Sequence, residues 1–212
     1  MILVGLTGGI GAGKSVVSAQ LAAHGAIIVD ADVIVRQLQM PGQEVLRRIV
    51  ERFGSEVLSA SGHLDRAALA ARVFGDQPAL TELNAIVHPA VGREMMCQID
   101  AHRETNAVVV LDVPLLVENP RTGLSGVLVV DLDPEIAVTR LVSQRNFSEE
   151  DARARVARQS SRSVRRAAAD WINDNSGSRL DLARQVSQAW HWMCSLPPAR
   201  PDAGRMSTPP DS

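Results

Sequence analysis

The sequence predicts an α/β fold: an open, doubly wound, five-stranded parallel sheet interrupted by two helical insertions. Three observations predict it. Short apolar runs rich in Val, Ile and Leu recur along the chain between stretches with helical spacing, the pattern of strands buried on both faces. The first run passes straight into a glycine-rich loop and then a helix. Several of the runs end in acidic residues, where an open parallel sheet meets its ligand crevice.

Each element follows in order. "ILVGLT" (2–7) is a buried strand stopped by glycines. "KSVVSAQLAAHG" has helical spacing, with Val17, Leu21 and Ala22 on one face and Gly25 as its stop. "AIIVDAD" (26–32) begins with a second strand, completing a right-handed βαβ unit. From 31 to 103 the pattern is mostly helical. Apolar residues recur at 45, 46, 49, 50 and 53, then at 69, 73 and 74. A longer helix over 78–103 is expected to break or bend at "HP" (88–89), where proline resists an unbroken helix. Strands return at 107–112 and 127–132. Arginine-rich helical sequence fills 136–169, a short strand covers 171–174, and a last helix covers 178–194, docked by Trp190 and Trp192. The domain is expected over 1–195. The proline-rich tail, 196–212, lacks apolar periodicity and is expected to be disordered or a linker.

Composition narrows the function. The 212 residues suit one domain with inserted subdomains. A net charge of −2 gives no global attraction to nucleic acid or anionic membrane. Aromatics are only 3% of the chain, too few for base-stacking platforms. Two cysteines form neither a disulfide framework nor a zinc site, which fits a reducing compartment. No run is long enough to span a bilayer, and the N-terminus lacks the features of a signal peptide, so a cytoplasmic location is expected.

Gly8, Gly13, Lys14 and Ser15 satisfy the phosphate-loop pattern G-x-x-x-x-G-K-[ST], between a predicted strand and a predicted helix. Glycines let backbone amides face an anion, and the helix adds its positive N-terminus. Gly11, Ala12, Gly13, Lys14, Ser15 and Val16 are therefore the expected nucleotide contacts. Lys14, the only lysine among 22 basic residues, is expected at the β- and γ-phosphates. Ser15 is expected on Mg²⁺, and Asp112, ending the third strand, could hold the ion through water. A guanine-reading Asn-Lys-x-Asp motif would need a second lysine, so ATP is the expected nucleotide. The segment 140–167 is expected to form a lid, with Arg155, Arg158, Arg162 and Arg166 on one helical face toward phosphates.

"DADVIVR" (30–36) places carboxylates at the end of the second strand, with Asp32 and Arg36 one helical turn apart. Asp32 could orient or deprotonate a hydroxyl; Asp30 or Asp32 could equally cap the following helix.

"GLTGGIGAGKS", "DADVIVR", "HLDRAALAARVF", "HP" at 88–89, "VPLLVE", "SQRN" and "ADWINDNSG" occur in this order. Together they resemble the dephospho-coenzyme A kinase family over about residues 2–190. The resemblance implies a P-loop kinase of nucleoside-monophosphate-kinase type that moves the γ-phosphate of ATP to the ribose 3′-hydroxyl of dephospho-CoA. It implies Asp32 as the base or the carboxylate that orients the hydroxyl, assisted by Lys14 and a lid arginine, Arg145, and Asn175 beside the nucleotide. It implies substrate contacts from Thr7, Arg36, Arg66, His88, Pro114, Leu115, Leu116 and Arg140, with 31–103 as the acceptor-binding insertion. Val16 stands where the family usually has threonine, and Asn173 where it has an apolar residue. Two other readings compete: another small-molecule P-loop kinase, or a non-catalytic nucleotide-dependent switch. The acceptor insertion and Asp32 favour a kinase.

Overall fold

The computed structural model describes residues 1–206, grouped into two compact units. One unit comprises Met1–Val29 and the chain from Ile99 onward; the other comprises Asp30–Gln98.

The first unit holds the sheet. Its strands are β1 (Ile2–Gly8), β2 (Ile27–Asp30), β3 (Val108–Asp112), β4 (Gly126–Asp131) and β5 (Trp171–Asp174), in the order β2-β3-β1-β4-β5. β1 pairs in parallel with both β3 and β4, and β4 with β5. Alternate residues face alternate sides. Val4, Leu6, Val108, Val110, Leu128 and Val130 pack on α1 (Lys14–Ala23) and α9 (Arg179–Cys194) through Val17, Leu21, Leu182, Val186 and Met193. Leu3, Val109, Leu111 and Val129 are fully buried as well, which is why the strands read as continuous apolar runs. The tryptophans dock α9 as expected: Trp192 stacks on Trp171 at 5.4 Å and Trp190 on His24 at 5.9 Å. Asn173, at the apolar position, is fully buried and accepts a bond from the Trp171 indole.

The topology locates a crevice. The chain leaves β1 toward the β2 side and leaves β3 toward the β4 side. Right-handed crossovers in opposite directions put these connections on opposite faces of the sheet. The loops after two neighbouring strands therefore separate at their carboxyl ends, the position where open α/β sheets bind ligands.

The second unit is helical: α2 (Ala31–Leu38), α3 (Glu44–Phe53), α4 (Arg66–Val73) and most of α5 (Gln77–Asp100). Val45, Leu46, Ile49 and Phe53 are buried at the spacing the sequence shows. The expected break at 88–89 is absent: α5 runs on with Pro89 inside it. Proline removes one backbone bond, and the buried Ile86, Val87, Ala90, Val91 and Met95 on either side hold the helix together.

Part of the proline-rich tail is bonded to the rest of the chain. The amides of Ala199, Arg200 and Gly204 donate to Met1, Gly123 and Thr122 carbonyls, and Thr122 donates back to Arg205. Ala203 is fully buried. These bonds join backbone to backbone, so side-chain periodicity carries no trace of them. Residues 207–212 lie outside the described residues. Among the described residues, no helix is long and apolar enough to cross a membrane.

Candidate active site

The glycine loop takes up the chain as β1 ends. Gly13 adopts the left-handed conformation (φ 89°, ψ 23°) as the N-cap of α1. No side chain caps this helix start, and the Val16 and Val17 amides are donated to the Gly13 carbonyl, which leaves the Lys14 and Ser15 amides as donors for an anion. Gly13 is also closely approached: a Cβ there would collide with the Asn175 amide nitrogen. Asn175 donates to the Ala12 carbonyl at 2.7 Å, and Arg140 donates to the Asn175 carbonyl at 2.8 Å. Asn175 thus braces the loop. Ala12 is buried at 2% exposure; its amide donates to the Gly9 carbonyl at 3.0 Å and its carbonyl accepts from Asn175.

A cleft of about 290 Å³ lies alongside, lined by Gly11, Gly13, Ser15, Val16, Arg140, Leu141, Gln144, Arg145, Asn175, Gly177, Arg179 and Leu182. It gathers most of the predicted nucleotide contacts. Arg140, implied at the substrate, stands in this cleft with Leu141, Gln144 and Arg145, all carried by α6 (Pro134–Arg145). Asn146 then stops α6 in a left-handed turn, which asparagine tolerates (φ 55°, ψ 30°). Sequence reading missed Gln144 and Arg179. Arg179 left a signal: a cation in the first turn of a helix opposes the helix dipole.

Lys14 lies with its Nζ against Asp112 Oδ1, its side chain 16% exposed and that of Asp112 only 1%. The loop lysine and the acid ending β3 therefore meet where the two connections part. Ser15 is exposed beside them in sequence. A hydroxyl and a carboxylate are oxygen donors of the kind Mg²⁺ takes together with phosphate oxygens.

Two of the implied substrate contacts are buried. Thr7 is fully buried, and its hydroxyl donates to the Pro114 carbonyl at 3.0 Å, so it positions the loop after β3. Leu116 is 4% exposed and packs over Gly5, whose Cβ would lie 2.5 Å from Leu116 Cδ2. Leu115 is 41% exposed, and Pro114 is half-buried.

The arginine-rich segment departs most from expectation. It forms α7 (Glu149–Ala157) and α8 (Arg162–Ala167) with a turn between, so Arg155, Arg158, Arg162 and Arg166 share no helical face. Arg155 lies over the Phe147 ring at 4.7 Å. Arg162 and Arg166 both bond the carboxylate of Asp131, whose side chain is 1% exposed at the end of β4. Spacing could not show that these arginines are occupied by acids distant in sequence.

Burial alone would raise the Asp131 carboxyl, but the bonds and charges of Arg162 and Arg166 outweigh it and hold it below its ordinary range. A lowered carboxylate stabilises the fold above its unfolded pKa, and that contribution is lost as pH falls through the lowered value. The urea midpoint of the protein is therefore expected to fall on acidification below about pH 4. Asp131→Asn should lower the midpoint at neutral pH and flatten this acid slope. Equal slopes in the two proteins would refute the assignment.

In the helical unit, Asp30 is the N-cap of α2, accepting from the amides of Asp32 and Val33 at 2.8 and 3.1 Å. The carboxylate of Asp32 is exposed and makes no hydrogen bond or ion pair among the described residues. Arg36 is exposed one turn on. Arg66 opens α4, whose N-cap is Asp65, with bonds from Ala67 and Ala68; it forms no ion pair with that acid. His88 is exposed on α5.

Comparison with known proteins gives a consistent result. The sequence model of the dephospho-CoA kinase family matches residues 2–181. A dephospho-CoA kinase of Mycolicibacterium paratuberculosis is 50% identical over 192 residues, 90% of this chain and 47% of that protein. The Thermobifida fusca dephospho-CoA kinase is 48% identical over 90% of this chain and 95% of its own length. The chain thus spans about half the length of some curated relatives and nearly all of others. Among solved structures, a Thermus thermophilus protein superimposes with a TM-score of 0.73 at 34% identity, covering 89% of this chain and 95% of that one. The Campylobacter jejuni dephospho-CoA kinase has the same fold, with a TM-score of 0.65 at 22% identity over 90% of this chain and 96% of that one.

Proposed function

The chain belongs to the dephospho-CoA kinase family, and on that premise we propose that it transfers the γ-phosphate of ATP to the ribose 3′-hydroxyl of dephospho-CoA, giving coenzyme A and ADP. The observation that carries this reading is the meeting of the loop lysine, Lys14, with Asp112, beside a cleft lined by Arg140, Arg145 and Arg179. That is equipment for a triphosphate whose terminal group is to be moved.

Phosphoryl transfer is mainly a matter of positioning and charge neutralisation. The amides of Gly11, Gly13, Lys14 and Ser15 and the positive end of α1 bind the β- and γ-phosphates; those of Ala12 and Val16 are donated to the Gly9 and Gly13 carbonyls. Arg140, Arg145 and Arg179 offset the remaining negative charge from the cleft side. Ser15 Oγ, with the Asp112 carboxylate through water, would hold a Mg²⁺ ion, whose chemistry would be to neutralise phosphate charge. Lys14 then exchanges Asp112 for the phosphates. Asp32 takes the proton of the acceptor hydroxyl as the oxygen bonds to the γ-phosphorus and the bridge to the β-phosphate breaks. Arg36, Arg66, Leu115 and Pro114 bind the acceptor, and His88 remains a proposed contact.

Incubation with Mg-ATP and dephospho-CoA is the direct test. We expect stoichiometric ADP and a 3′-phosphorylated product, and no ADP with a panel of sugars and nucleosides. No product from dephospho-CoA would overturn the reading. Turnover of another hydroxyl instead would make the chain a different small-molecule kinase.

A further inference from the structure

The turn between α7 and α8 makes contacts that the proposed transfer does not use. Gln159 Oε1 accepts from the backbone amide of Ile10 at 2.7 Å. Ile10 lies inside the phosphate loop, whose amides are its anion-binding groups. Arg165, only 8% exposed, lays its guanidinium on Gly9: a Cβ there would stand 2.9 Å from Nη2. Arg165 also donates to the carbonyl of Ser160, and the Ser160 amide donates to Glu118 Oε1 at 2.7 Å. The turn and α8 together are thus tied to the loop after β3 and to the loop after β1.

We propose that Gln159 and Arg165 are positioning residues of the phosphate loop, fixing the path of Gly9–Ile10 so that the amides beyond converge on the triphosphate. A loop this rich in glycine has little conformational preference of its own. It must be held from outside, or the nucleotide bears the entropy of ordering it. Both residues suit that task chemically. The Gln159 carboxamide is neutral, so it holds an amide without setting negative charge against phosphate. Arg165 fills the space over Gly9 with a charge of the favourable sign. A side chain in place of Gly9 would displace it. Arg162 and Arg166, on the same short helix, are held by Asp131 and cannot do this.

The inference rests only on the donor half of the proposed function, nucleotide binding by the loop, so it can be tested without an acceptor. Gln159→Met keeps the side chain's length and removes the acceptor atom. Binding of Mg-ATP to the full chain is measured by titration calorimetry, and exchange of the Ile10 amide by NMR without nucleotide. We expect Ile10 to exchange at least tenfold faster, the Kd for ATP to rise about three- to tenfold, and the thermal midpoint to stay put. The KM for dephospho-CoA should move less than twofold, a split that general destabilisation would not produce. Arg165→Gln, altering the second contact, should raise the Kd in the same direction. An unchanged Kd in both variants overturns the proposal. A lower Kd in Gln159→Met also overturns it, since Gln159 would then be a placeholder that phosphate must displace. Failure of the wild-type protein to bind ATP would instead defeat the donor reading itself.

Discussion

Lys14→Arg is expected to abolish nearly all phosphoryl transfer although it conserves charge. The chain uses arginine at every other basic position, so arginine itself is no burden to the fold. What differs at position 14 is room. The Lys14 side chain is 16% exposed and its ammonium reaches a carboxylate that is 1% exposed, between the ends of β1 and β3. An ammonium is a compact point that can turn among several phosphate oxygens; a guanidinium is a broad planar fork with fixed donor directions. Placed here, the fork would either stay on Asp112 as a bidentate pair or press the glycine loop outward. Losing one preorganised charge at the transferring group costs on the order of 10²- to 10³-fold in rate. We expect kcat to fall by at least that much, with the thermal midpoint little changed. Steady-state kinetics with Mg-ATP and dephospho-CoA measures it, and near-normal turnover would refute the geometric reasoning.

Much of this site was legible because its residues are close in sequence. The glycine loop, its lysine and the following helix form one continuous stretch, and backbone conformation there follows from residue type. The strands were legible for a similar reason: burial on both faces leaves an unbroken apolar run. What was not legible depends on pairing across the chain. Arg162 and Arg166 look like phosphate ligands until Asp131, thirty-odd positions away, is seen to hold both. The Thr7 hydroxyl is seen only in the fold to donate to the Pro114 carbonyl. Leu116 turns inward because Gly5 leaves space over β1. Residues 199–205 are held by backbone bonds that no side-chain pattern records. The residual ambiguity between Asp30 and Asp32 was likewise local in sequence but three-dimensional in cause: both can cap a helix, and only the fold shows which one does.

That division of labour makes Asp32→Asn the second informative substitution. Asp30 carries the structural task, accepting two amides at the start of α2. Asp32 is exposed and makes no bond that the helix needs, so replacing its carboxylate should change stability by no more than about 0.5 kcal/mol. Its loss therefore reads on chemistry alone. A positioned general base contributes typically 10²- to 10⁴-fold to a rate, and the amide of asparagine can still hydrogen-bond a hydroxyl but cannot take its proton. We expect kcat to drop within about that range while the Kd for ATP stays within twofold, because the nucleotide groups belong to the other unit. Asp30→Asn is the matching control. Asparagine caps helices about as well as aspartate, so that protein should remain active. If Asp32→Asn retained full turnover, proton removal would not involve this residue. If it lost ATP affinity instead, Asp32 would belong with the donor. If Asp30→Asn were the inactive variant, the proton would be taken by Asp30 and the assignment of the base to Asp32 would be wrong.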